Sequence, residues 1–105
     1  MNESHSVTAW IDQLKLGDQE AATQIWERYF EQLVTVARSK LEGAPTRAVD
    51  EEDVALLAFD SLFRGVKEKR FPNLDDRDDL WQLLLMLTER KAIDQKRRES
   101  SASWH

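Results

Sequence analysis

The 105-residue chain has no cysteine, which excludes a disulfide framework and a thiolate metal site within it. Its only histidines are His5 and His105, near the two ends, which argues against a histidine-dependent active site inside the fold. With 2 prolines and 3 glycines the chain has little punctuation, which favours long helices over many short strands. Apolar runs such as Leu83 to Leu87 fall far short of a membrane span. The first residues, Met-Asn-Glu-Ser-His-Ser, show neither the basic patch nor the apolar stretch of a secretion signal, so a cytoplasmic location is expected. No glycine-rich phosphate loop, nucleophile triad or pocket-placed carboxylate pair stands out. The sequence therefore predicts a non-enzymatic protein without cofactor or metal.

What is present suits one small folded domain. Hydrophobic residues make up 41% and charged residues 33%, too apolar for a disordered tail and too charged for a membrane protein. The net charge of −5 is unevenly spread. Residues 1–63 hold 5 basic and 12 acidic side chains, a net −7, whereas residues 64–105 hold 10 and 8, a net +2. The acidic total argues against indiscriminate nucleic-acid binding but leaves room for a local basic surface.

Periodicity predicts an all-α protein, a compact bundle of four to five helices. Val7, Trp10, Ile11 and Leu14 mark a short first helix that Gly17 stops. Asp18 N-caps a second, in which Ala22, Ile25, Trp26, Tyr29, Leu33, Val36 and Ala37 recur three or four apart. Glu42 to Thr46 is the clearest loop. A third helix starts near Asp50, where four successive acids suit the positive end of a helix dipole, and runs to about Val66. Phe71-Pro72-Asn73 interrupts the pattern. A fourth helix begins between Asp75 and Asp79 and reaches about Arg98. The acids at its start lack EF-hand spacing, so capping is their expected role rather than metal binding. Residues 7–99 form the expected domain, with flexible ends at 1–6 and 100–105.

Two features go beyond a plain bundle. On the third helix Leu57 falls in the middle of the polar face, either as an ordinary surface leucine or as the apolar centre of a partner contact with an acidic rim. The fourth helix is apolar nearly all round from Leu80 to Leu87. It then turns basic on the face carrying Arg90, Lys91, Arg97 and Arg98, while Leu85, Met86, Ala92 and Ile93 continue an apolar, docked surface. That basic face is either a solvated helix end favoured by the dipole or a phosphate-contacting surface. Between these helices, Lys67, Lys69, Arg70 and Phe71 lie close to Asn73 and Arg77. Cations beside an aromatic suit an unstacked single strand.

The strings Asp50-Glu51-Glu52-Asp53-Val54-Ala55-Leu56-Leu57-Ala58-Phe59 and Ala92-Ile93-Asp94-Gln95-Lys96-Arg97-Arg98 resemble region 2 of bacterial sigma factors of the extracytoplasmic-function (ECF) class. So do Ala58 to Ser61, Arg70 to Trp81, Gly17 to Ala21 and Trp26 to Phe30, and together the similarity covers roughly residues 7–99. The resemblance implies that the third helix docks on the β′ clamp coiled coil of RNA polymerase core through Asp50, Asp53, Leu56, Leu57, Asp60 and Arg64. It implies that the loop and fourth helix hold the melted non-template strand of the minus-ten promoter element. Lys67, Lys69, Arg70, Phe71, Asn73, Arg77, Trp81, Arg90, Lys91, Arg97 and Arg98 would carry that contact. An anti-sigma factor is a further implied partner. The family's second DNA-binding domain, the helix-turn-helix region 4, is not within these residues, so weak promoter binding by this domain alone is expected. The alternative reading is a helical protein-interaction module that uses the Leu57 face and never touches nucleic acid.

Overall fold

In the computed structural model, residues 3–41 and 50–102 are described, with side chains described for 7–41 and 50–97. The described residues form four α-helices and no strand: α1 (Glu3–Lys15), α2 (Gln19–Lys40), α3 (Glu51–Lys67) and α4 (Arg77–Ala102). The expected loop at Glu42 to Thr46, the two histidine side chains and the side chain of Arg98 lie outside the described residues.

Local chemistry sets where each helix starts. Asp18 caps α2 by accepting from the Glu20 N–H at 2.9 Å, and Asp50 caps α3 by accepting from the Asp53 N–H at 2.9 Å. At α4, the Asp76 carboxylate accepts from the Asp79 N–H at 2.9 Å. Asp79 reaches back to accept from the Asp75 and Asp76 N–H groups at 3.2 and 3.4 Å. This reciprocal pairing is a capping box built from aspartates, so the acid-rich stretch organises a helix start. Among the described residues no group of three or more His, Cys, Asp or Glu side chains is arranged to hold a metal ion.

Helix ends differ from the sequence expectation at two places. Helix α1 begins at Glu3 rather than Val7, and α4 continues to Ala102 rather than ending near Arg98. No glycine or proline interrupts either extension, and adding a residue to an existing helix costs far less than nucleating one. Helix α1 does end where Gly17 predicts. The glycine takes φ 87°, and Gly17 N–H donates to Leu14 O and Asp18 N–H to Gln13 O at 2.9 and 3.1 Å.

The core collects one stripe from each helix. Val7, Ile11 and Leu14 of α1 meet Ala21, Ile25, Tyr29 and Leu33 of α2, Phe59 and Leu62 of α3, and Leu80, Leu84 and Leu87 of α4. A small second cluster, Ala37, Val54 and Ala92, joins α2, α3 and α4 beyond it. The docked face of α4 is Leu80, Leu84, Leu87, Thr88, Ala92 and Gln95. Met86 and Ile93 are 40% and 43% exposed, so the expectation of a continuous docked surface through Leu85, Met86, Ala92 and Ile93 fails there. The reason is angular: Met86 sits about 200° round the helix from Leu84, on the side away from the bundle.

Candidate functional site

The exposed side of α3 is assembled by its cap and its spacing. Asp50 fixes the first turn, and Glu51 is held by Arg38 of α2, whose Nε and guanidinium nitrogen both lie 3.3 Å from its Oε1. From there Asp53, Leu56, Leu57, Asp60 and Arg64 follow the face turned away from the core, all exposed. Leu57 is 37% and Leu56 45% exposed, so the odd leucine of the pattern does point outward, and it has a neighbour. Arg64 pairs with Asp60 at 2.9 Å, one turn away on the same face. The result is two part-exposed leucines set among acids and one paired arginine.

A second surface arises where α3 ends and the chain turns toward α4. Glu68 closes α3, Lys69 N–H donates to Val66 O at 3.0 Å and Arg70 N–H to Gly65 O at 2.8 Å. This is the paired closure of a Schellman motif. It requires a left-handed residue after the cap, and Lys69 supplies it at φ 60°, a conformation glycine adopts at no steric cost. Leu74 N–H then donates to Phe71 O at 3.2 Å, and Leu74 itself is buried. Arg70 forms an ion pair with Glu68.

The turn and α4 enclose two concavities that share Arg70 and Phe71. One, of about 270 Å³, is lined by Arg70, Phe71, Asn73, Leu74, Gln82 and Leu83 on the loop side of α4. The other, of about 510 Å³, is lined by Ser61, Arg70, Phe71, Leu87, Arg90, Lys91 and Asp94. The first mixes Phe71, Pro72, Leu74 and Leu83 with the polar side chains of Arg70, Asn73, Asp79 and Gln82. The second gathers three cations against a single acid. Arg97 is exposed two turns beyond Arg90 on the outer side of α4.

Not every sequence-nominated side chain joins this pair of concavities. Lys67 lines a different groove, with Leu16, Gly17, Ala22 and Phe63 at the α1–α2 turn. Arg77 and Trp81 face α2, where they line a hollow of about 220 Å³ with Arg28, Tyr29 and Gln32. Trp81 is only half-exposed and stacks on Tyr29 at a centroid distance of 5.8 Å. Conversely, the sequence reading did not nominate Ser61 and Gln82, which line the concavities, or Gly65, which backs the Phe71 ring. Gly65 carried a usable signal, because a glycine inside an otherwise helical run marks a close approach.

A family model described as ECF sigma factor matches residues 4–103. No curated protein and no solved structure matches the chain significantly. The match spans nearly the whole chain, and the chain belongs to the ECF sigma factor family, whose members are non-enzymatic factors that act in transcription initiation with RNA polymerase and promoter DNA. Among the described residues no helix is long and apolar enough to cross a membrane.

Proposed function

We propose that the exposed α3 face docks on the β′ clamp of RNA polymerase core, and that the turn and α4 hold the melted non-template strand of the minus-ten element. The observation that carries this reading is the segregation of two exposed surfaces on one small bundle. One is acidic around a part-exposed Leu56–Leu57 pair, and the other is a cationic hollow beside a smaller one of mixed apolar and polar lining. Arg70, Arg90 and Lys91 take backbone phosphates in the larger concavity, and an unstacked base enters the smaller one against Phe71, Asn73 and Leu83. Unstacking costs a few kcal/mol, which a shaped pocket and phosphate contacts together offset. Lys69 and Arg97 extend the phosphate track on either side. Arg77 and Trp81 meet the strand at the α2 flank, and Lys67 lies at the margin. An anti-sigma factor that covers either surface would silence the domain.

Titration with single-stranded and duplex oligonucleotides at several salt concentrations tests the strand half. Five phosphate contacts predict that log K falls by about 3.5 for each tenfold rise in salt, with single strands preferred. Equal, salt-insensitive binding of both, or none, favours the interaction-module alternative.

Lys69 provides a sharper check. A left-handed lysine costs roughly 1–2 kcal/mol relative to glycine, and glycine returns about 0.4–1 kcal/mol of that through unfolded-chain entropy. Lys69→Gly is therefore expected to stabilise the fold by about 0.5 kcal/mol, or roughly 2–4 °C in Tm. The same substitution lowers single-strand affinity by a few-fold at low salt. Thermal melts and anisotropy read the two effects, and a parallel loss of both removes the functional role of Lys69.

A further inference from the structure

Gly65 lies inside α3, three residues before its C-cap, where its backbone needs no special conformation. Its missing side chain matters for space instead. A Cβ at this position would lie 2.7 Å from Phe71 Cζ, 3.0 Å from Cδ2, and closer still to Cε2. The Phe71 ring thus rests in a notch on the helix that only a glycine leaves open. Glycine within a helix is unfavourable relative to alanine, so the notch is kept against helix propensity. The ring it receives is half-buried and packs against the core cluster. Phe71 is also the residue common, with Arg70, to both concavities. The Gly65 carbonyl accepts from the Arg70 N–H, so one residue fixes the neighbouring arginine by its backbone and the ring by its absent side chain.

We infer that Gly65 is a positioning residue for strand capture: the notch seats the Phe71 ring, and the seated ring holds Arg70 and Asn73 at the walls of the two concavities. This rests on the strand-binding reading above. Phe71 then acts first as an anchor, with only the remainder of its ring left to meet a base.

The test compares Gly65→Ala, Phe71→Ala and the double variant in the full chain. Alanine suits a helix better than glycine, so α3 survives in G65A while the ring is expelled. Affinity for a single strand of about 12 nucleotides is expected to fall about tenfold in G65A and in F71A, with the double variant no worse than either. Binding to core polymerase stays at the wild-type level in all three. Amide hydrogen exchange at Arg70 and Leu74 accelerates in G65A while Leu62 remains protected. Wild-type single-strand affinity in G65A, or a further loss when G65A is added to F71A, overturns the inference. Failure of the wild type itself to bind single strands removes the strand-binding reading instead. In that case unchanged exchange at Arg70 in G65A still overturns the positioning role, and accelerated exchange supports it.

Discussion

Replacing Arg70 and Arg90 together with glutamate is expected to weaken single-strand binding by about a hundredfold or more at low salt. The two guanidinium groups stand on different elements, one in the turn after α3 and one on α4, and converge on the same 510 Å³ hollow with Lys91. Removing two phosphate contacts cuts the salt dependence by about 1.4 units of the log–log slope, and reversed charges add repulsion. Both side chains are exposed, so the fold should not notice. The Arg70–Glu68 pair lost on the way is a surface ion pair, worth at most about 1 kcal/mol. Anisotropy across salt concentrations reads the result. Retained affinity with an unchanged slope would place the strand elsewhere.

Asp53→Arg combined with Leu57→Arg is expected to lower affinity for core polymerase by about 2–3 kcal/mol, or roughly 30- to 150-fold. An apolar side chain at the centre of an interface contributes through complete loss of water, and arginine there leaves a charge to be desolvated. Neither residue is buried in the free chain, so the stability cost is confined to the charge lost from the first turn of α3, about 0.3–1 kcal/mol. Single-strand affinity should rise slightly, if it moves at all, because net charge becomes less negative. Co-migration with purified core enzyme checks the first point and anisotropy the second. Equal polymerase binding by wild type and variant would take the docking role away from α3.

Much of this was readable from residue order because the signals were local. Asp18 as a cap, the helix start near Asp50, Gly17 as a stop and the four-residue spacing of Ile25, Tyr29, Leu33 and Ala37 each depend on neighbours within one or two turns. Leu57 was legible for the same reason: angle on a helix follows from position alone. Met86 and Ile93 were misjudged because Leu80 to Leu87 is apolar on every side, so pattern could not say which side the bundle would take. The neighbour of Trp81 was equally hidden, since its pairing with Tyr29 of α2 is a tertiary contact. The Phe71–Gly65 contact depends on the chain doubling back after the cap, and no periodicity encodes a reversal. That is why the residues of the turn could be named while their division between two hollows could not.

The closed turn after α3 has a thermodynamic corollary. Ordering a loose segment costs about 1–2 kcal/mol per residue in backbone entropy. In this chain the bonds from Lys69 to Val66, Arg70 to Gly65 and Leu74 to Phe71 are already made before any strand arrives. On the proposed reading, association would begin from a preorganised backbone, and most of the penalty for straightening and unstacking would fall on the nucleic acid. Sequence preference in such an encounter would follow in part from how readily a given DNA step opens, which would make the pliancy of the promoter part of the selection.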